Sequence, residues 1–244
     1  MTAPAPVFRT CPVTGRQIES QASWLIRANA VVAVVALLIG VIAAILIVLT
    51  RWQAVHLLPA AWYYRLLGVH GMSMLIFFIL FFEMAVLYFA STILVNARAV
   101  APKLAWFSFA LMVIGAITVE SLMWAGKADV LFTSYPPLRA HPIYYLGIIV
   151  FAVGALVVVG LFFANLVVAK REKRYTGSLP LVVYGAVTAA IIAVITLLHG
   201  AAIYIPAFLW SLGLIKMDPE IYRLIWWALG HSSQQINVAA MVAI

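Results

Sequence analysis

Charged residues are scarce in this sequence: Asp, Glu, Lys and Arg make up 9% of its 244 residues, against about 25% in a typical soluble domain. It has a single cysteine, Cys11, so an internal disulfide is excluded. The N-terminal stretch also lacks the basic segment, short apolar core and cleavage site of a secretory signal. Hydrophobic residues make up 66% of the chain instead, a composition typical of a polytopic membrane protein.

The charge that is present is mostly basic, with 15 Lys and Arg against 7 Asp and Glu. These basic residues lie in short loops between apolar runs and form no stripe that could follow a phosphate backbone. Nucleic acid is therefore not an expected partner, whereas membrane lipid is.

Six apolar runs are each long enough to cross the hydrocarbon layer, which takes about 20 residues in a helix. They cover residues 24–50, 65–95, 103–126, 142–169, 179–209 and 221–244. Because the loops are short, neighbouring helices are expected to pack antiparallel. The prediction is an all-α, polytopic transmembrane bundle of six spanning helices, residues 24–244, preceded by an N-terminal segment, residues 1–23.

Basic residues are unevenly divided between the two predicted sides of the membrane, nine on the side of the N-terminus and six on the other. The run KREKR, residues 170–174, dominates this difference. The positive-inside rule then places the N-terminus in the cytoplasm, which suits a multi-pass protein of the cell inner (plasma) membrane.

Ionisable side chains inside a span are costly unless they face a partner in the bundle, so they are functional candidates. Counting from the predicted span ends places three histidines in one layer below the outer boundary, with the last of them near the outer end of its helix. A neutral imidazole can bind iron, copper or zinc while its other nitrogen is held by an acceptor. For each histidine alone, the alternative is an interhelical hydrogen bond. The three are His70, His231 and His199.

Glycine follows His70 and precedes His231, and a residue without a side chain there is expected to let a large flat cofactor approach the backbone. Two carboxyl groups also lie within spans. Glu83 suits a proton relay and a protonated interior acid equally well. For Glu120, a structural role, with snorkelling or pairing to Lys127, is favoured.

Prolines shape the segment LFTSYPPLRAHPIYYLG, residues 131–147. Pro136 and Pro137 exclude a helix there, and Pro142 gives the next helix a rigid first turn. A stiff connector is the expectation from these residues alone.

Three separated stretches resemble subunit I of the heme–copper oxidoreductase superfamily, and among its members the B family of cytochrome c oxidases. They are YYRLLGVHGMSM, FTSYPPLRAHPIYYLG and YRLIWWALGH. The resemblance implies that His70 is an axial ligand of a low-spin heme and that His231 is the first of three histidines on an active-site copper. It also implies a second, high-spin heme beside that copper.

The sequence departs from this family four residues after His231. Oxygen reductases of the family have a tyrosine there that supplies an electron and a proton, whereas this chain has Gln235, one helical turn from His231. Glutamine forms hydrogen bonds but is not a redox donor. We therefore favour reduction of NO to N2O, which needs no such donor. The alternatives are an oxygen reductase that forms water, and an inert or structural six-helix subunit.

Length is the second departure, since subunit I of this family has about twice as many spans. The chain is expected to be the N-terminal half, truncated after the sixth helix and inactive alone. The resemblance implies that the other ligands come from the remaining C-terminal half. Implied partners are a subunit II-like electron-entry subunit and a c-type cytochrome, cupredoxin or quinol donor.

Overall fold

Six long helices form the bulk of the molecule, which a computed structural model describes over residues 7–243. A short hairpin precedes them. The elements are β1 (Phe8–Thr10), β2 (Gln17–Glu19), α1 (Ser20–Arg51), α2 (Ala60–Ile93), α3 (Pro102–Trp124), α4 (Pro142–Arg171), α5 (Leu181–Ser211) and α6 (Pro219–Ala243). Residues 1–6 and Ile244, which belong to the predicted N-terminal segment and sixth span, lie outside the described residues.

Each predicted span coincides with one helix, with ends that differ by at most about five residues. Within residues 7–243, five helices, α1 to α5, are long and apolar enough to cross a membrane. The sixth predicted span forms a helix, α6, but its middle carries the polar run HSSQQ, residues 231–235, which makes it less apolar than the others. A mostly helical multi-pass membrane fold follows, while the sixth crossing and the cytoplasmic N-terminus remain predictions.

The start of α1 is fixed by the hairpin, which the sequence reading did not predict. The β1 and β2 strands are antiparallel, with Phe8 opposite Glu19. The buried carboxylate of Glu19 then accepts hydrogen bonds from the backbone N–H groups of Gln21 and Ala22, at 3.0 and 2.8 Å. This N-cap satisfies two donors of the first turn, so α1 begins at Ser20, before the apolar run itself.

Polar contacts tie the N-terminal segment to the second and fourth loops on one side of the bundle. The Arg16 guanidinium donates to the Leu94 carbonyl oxygen at 2.7 Å. Glu172 accepts from Arg98 at 3.1 Å and from Arg174 at 3.0 Å. The bonds from Arg174 and Arg98 hold the pKa of Glu172 below its ordinary value. What these bonds contribute to stability is therefore present at neutral pH and lost as the pH falls through that lowered pKa.

Regular α-helical turns are interrupted twice in α2, by π-helical segments at Met72–Phe78 and Phe89–Ile93. The first begins two residues after His70. Farther along, the ring of Phe151 on α4 packs edge-on against those of Phe77 and Phe81, with centroids 5.2 and 5.6 Å away. This aromatic cluster fixes α2 against α4 in the middle of the bundle.

Candidate functional site

The imidazole of His70 is held by the neighbouring helix. Its Nδ1 lies 2.9 Å from the carbonyl oxygen of Gly40 in α1. Since a carbonyl oxygen only accepts, Nδ1 carries the hydrogen and Nε2 keeps its lone pair. Within residues 7–243 no hydrogen-bond partner of Nε2 is found, and the side chain is half-buried. Histidines that bind metals commonly donate the N–H of one ring nitrogen to a backbone carbonyl and keep a free lone pair on the other nitrogen. His70 has this arrangement.

Gly40 makes this contact possible, and the sequence reading overlooked it. A Cβ at Gly40 would lie 2.5 Å from Cγ and Sδ of Met74 and 3.3 Å from Cβ of Ser73. Only a residue without a side chain lets α1 approach α2 closely enough to present its carbonyl to His70. The available signal was a single glycine in the middle of the first apolar run.

The glycines beside the histidines do not open onto free space. A Cβ at Gly71 would meet Cδ1 of Phe132 at 3.1 Å, and one at Gly230 would overlap the ring of Trp226 on its own helix. Because close-packed interiors leave few voids, aromatic rings occupy the places expected for a flat cofactor. The approach of a flat cofactor to the backbone at these two glycines stays a prediction.

The proline-containing loop between α3 and α4 contacts both α2 and α6, a role that the stiff-connector prediction did not include. The ring of Phe132, which covers Gly71, lies with its centroid 5.9 Å from that of Trp226. The Tyr222 hydroxyl donates to the carbonyl oxygen of Thr133 at 3.1 Å. The loop is free of helix between residues 125 and 141, as the prolines predicted. It fixes the N-terminal part of α6 beside the end of the α-helical segment that carries His70.

His231 lies on the exposed face of α6. The hydroxyl of Thr196 on α5 donates to that of Ser232 at 2.9 Å, which sets the level of His231 against α5. The imidazole is exposed and forms no hydrogen bond to any described residue. Gln234 and Gln235 are exposed on the same helix. This face presents one imidazole and two amides that nothing within residues 7–243 covers.

His199 is farther from its helix end than the sequence reading placed it. The α5 helix ends at Ser211, about twelve residues after His199, whereas the predicted span ended ten residues after it. His70 is about ten residues from Ala60, and His231 about twelve from Pro219. At 1.5 Å per residue, all three histidines lie about 15–18 Å along their helices from ends on one side.

The ring of His199 is engaged within its own helix, where its Nδ1 lies 2.9 Å from the Ile195 carbonyl oxygen. No group of three or more His, Cys, Asp or Glu side chains that could hold a metal ion exists among the described residues. These residues thus fit one axial ligand of a heme iron, His70. For copper they supply one candidate, His231, and do not complete a ligand set.

A cavity of about 390 Å³ lies between α2, α5 and α6. Its lining is mostly apolar, with alanines of α5 and aromatic side chains of α2, and its polar members are Glu83 and Asn237. Oε1 of Glu83 is buried without a hydrogen-bond partner among the described residues. Buried carboxyl oxygens are normally hydrogen-bonded, so the unpaired Oε1 makes Glu83 the unusual polar member of this cavity.

Glu120 has a different partner from the one expected. The Ser73 hydroxyl donates to its Oε1 at 2.6 Å, and no ion pair with Lys127 is present in the part of the chain described. The prediction of pairing with Lys127 is therefore wrong. The bond to Ser73 joins α3 to the π-helical segment of α2 and agrees with a structural role.

Comparison with known proteins shows the family and the fold. Residues 25–244 match the family described as "Cytochrome C and Quinol oxidase polypeptide I". Cytochrome c oxidase subunit 1 of Thermus thermophilus is 32% identical over 176 residues, which are 69% of this chain and 30% of that relative. The chain therefore spans less than a third of that relative's length.

A solved structure has a similar fold. A heme–copper terminal oxidase dimer, determined by cryo-EM, superposes with a TM-score of 0.84 at 24% identity. The match covers 93% of this chain and 39% of that one. At this identity the likeness shows the fold alone.

Proposed function

Because the chain belongs to the cytochrome c and quinol oxidase polypeptide I family, we propose that it forms part of the catalytic subunit of a respiratory heme–copper reductase. The observation that carries this proposal is the orientation of His70, whose Nε2 lone pair is free while Nδ1 is fixed on the Gly40 carbonyl. His70 would bind a low-spin heme, which supplies electron relay when bound. The chain's own contribution is to fix the tautomer and direction of this ligand.

The copper assignment of His231 belongs to the same proposal. Its imidazole is exposed on α6, and imidazole nitrogen suits copper. The remaining copper ligands and the high-spin heme ligand would come from the C-terminal half of subunit I, covering the face with His231 and Gln235. A subunit II-like protein would deliver electrons from a c-type cytochrome, a cupredoxin or quinol.

For the substrate, we propose nitric oxide, and Gln235 supports this choice. Gln235 lies one turn after His231 on the same exposed face of α6. Two NO molecules, two electrons and two protons give N2O and water, so both electrons can come from the metals. A glutamine amide can hold a hydrogen bond at this position but supplies no electron.

Reduction of O2 to water is the second candidate, and the relatives support it. The similar proteins are named cytochrome c oxidase subunit 1 and a heme–copper terminal oxidase. Cleavage of O2 takes four electrons, so this function needs a donor in place of the missing tyrosine.

Turnover separates the two substrates. The full-length enzyme is expected to reduce NO at least about tenfold faster than O2, a difference in barrier of about 1.4 kcal/mol. Gln235→Tyr is expected to shift this ratio towards O2. The matched control, Gln234→Tyr, places the same ring one residue earlier and is expected to leave the ratio unchanged. Fast O2 reduction with little NO turnover in the wild type would establish the oxidase alternative. A purified full-length protein without heme would support the third alternative, a structural subunit.

Glu83 is proposed as a proton carrier to this site, supported by its unpaired Oε1 in the cavity beside α6. Glu83→Gln keeps the shape but removes the exchangeable carboxyl proton, so turnover is expected to fall about 100-fold with heme spectra unchanged. The matched control is Glu120→Gln. Glu120 is an interior carboxyl that also has one unpaired oxygen, but it is bonded to Ser73 and does not line the cavity, so this variant is expected to retain turnover. Full activity of Glu83→Gln in steady-state assays would show that Glu83 is only a buried acid.

A further inference from the structure

A second cavity, of about 250 Å³, lies where the N-terminal hairpin meets the first turns of α1. Its polar lining residues are two arginines, Arg9 and Arg27, and two serines, Ser20 and Ser23. Arginine and serine residues around one concave surface are typical of sites that bind a phosphate group.

The positive charge of this cavity is not neutralised by the chain. Neither Arg9 nor Arg27 forms an ion pair with a described residue. The nearby carboxylate, Glu19, is buried and already accepts from two backbone N–H groups at the start of α1. Residues 1–6 contain no Asp or Glu. Two cations that no carboxylate within residues 7–243 neutralises therefore line the cavity.

An aromatic residue marks the same place as a membrane interface. Trp24 lines the cavity and is 58% exposed, and the Arg27 guanidinium lies 5.6 Å from the centroid of its ring. Exposed tryptophan beside arginine at the end of an apolar helix is typical of the headgroup level of a bilayer.

The exposed face of α1 continues from this cavity as an apolar stripe. Its members follow Arg27 at steps of three or four residues, the spacing of one helix face. All are at least 48% exposed: Val31, Val34, Leu38, Ile42 and Ile45. From Arg27 to Ile45 the stripe is about 27 Å long, which exceeds one leaflet of the hydrocarbon layer, about 15 Å.

We propose that this cavity binds the phosphate of an anionic phospholipid whose acyl chains lie along the apolar stripe of α1. The guanidinium groups of Arg9 and Arg27 bind the phosphate oxygens, and the hydroxyls of Ser20 and Ser23 donate to them. The stripe favours a lipid over a free phosphate ion, because acyl chains gain an apolar surface there and the ion has no apolar part that would use it. This site is separate from the histidines and independent of the proposed function.

Native mass spectrometry of the full-length enzyme in detergent tests the proposal, with dioctanoyl phosphatidylglycerol as the probe and dioctanoyl phosphatidylcholine as the neutral comparison. Arg9→Gln/Arg27→Gln is expected to weaken binding of the anionic lipid about 30-fold, since each cation near a membrane surface contributes about 1 kcal/mol. Arg9→Lys/Arg27→Lys keeps the charge and is expected to retain most of the binding.

The matched control is Lys170→Gln/Arg171→Gln, which removes two charges on the same side but outside the cavity. It is expected to bind the anionic lipid as the wild type does. An equal loss in this control would assign the effect to general surface charge and overturn the proposal, as would unchanged binding in Arg9→Gln/Arg27→Gln. Equal binding of phosphatidylcholine would also overturn it. Binding of inorganic phosphate alone as tightly as the lipid would make the ligand a free anion and contradict the lipid assignment.

Discussion

His70→Ala is expected to abolish the low-spin heme signal in reduced-minus-oxidised spectra of the full-length enzyme. The imidazole Nε2 is the group of this chain positioned to bind that iron, because Nδ1 is fixed at 2.9 Å on the Gly40 carbonyl oxygen. Alanine leaves no donor atom within reach. Electron relay through this heme would stop, so turnover with either substrate is expected to fall at least about 1,000-fold, or about 4 kcal/mol.

The matched control is His199→Ala. His199 lies at a similar distance from its helix end, and its Nδ1 also contacts a carbonyl oxygen, but that carbonyl belongs to Ile195 of the same helix. We expect this variant to retain the low-spin signal. An unchanged spectrum in His70→Ala would remove His70 from the heme site, and loss of the signal in His199→Ala would make His199 a ligand candidate instead.

His231→Ala is expected to lose copper and to keep the low-spin heme. With one of its ligands deleted, the copper site is expected to retain less than about a tenth of its metal, since even loss of an outer-shell partner costs about 10–100-fold in affinity. His70, the proposed heme ligand, is on another helix and is not expected to be disturbed. Elemental analysis of purified full-length enzyme measures the copper, and the difference spectrum measures the heme.

Gln234→Ala serves as the control for this experiment, because Gln234 is exposed on the same helix and its replacement removes no imidazole. Its copper content is expected to equal that of the wild type. Full copper occupancy in His231→Ala would show that this residue is not a ligand.

The long apolar runs made the helices predictable from the sequence. Each run is long enough to span a bilayer, where its backbone N–H and C=O groups find hydrogen-bond partners only within a helix. The sequence analysis counted the sixth run with the others, but the polar residues after Gly230 make α6 less apolar, and its crossing remains a prediction. Helix starts were less predictable. The N-cap that begins α1 depends on Glu19, and the geometry of that cap depends on the hairpin rather than on apolar character.

Contacts between helices were the part that periodicity did not predict. The acceptor of His70 is a backbone atom of Gly40, thirty residues away, and no side-chain pattern identifies it. Glu120 was matched to Lys127 by sequence proximity, whereas its partner Ser73 comes from another helix. The rings of Phe132 and Trp226 fill the glycine gaps for the same reason: tertiary packing decides which side chain enters a space.

The most direct test of the central claim is a cryo-EM map of the full-length enzyme at the level of His70 and His231. We predict density for a heme iron on Nε2 of His70, with Nδ1 still on the Gly40 carbonyl, and copper on the imidazole of His231 in the same layer. An imidazole of His70 bonded only to protein, or a His231 ring facing lipid without a metal, would contradict the account.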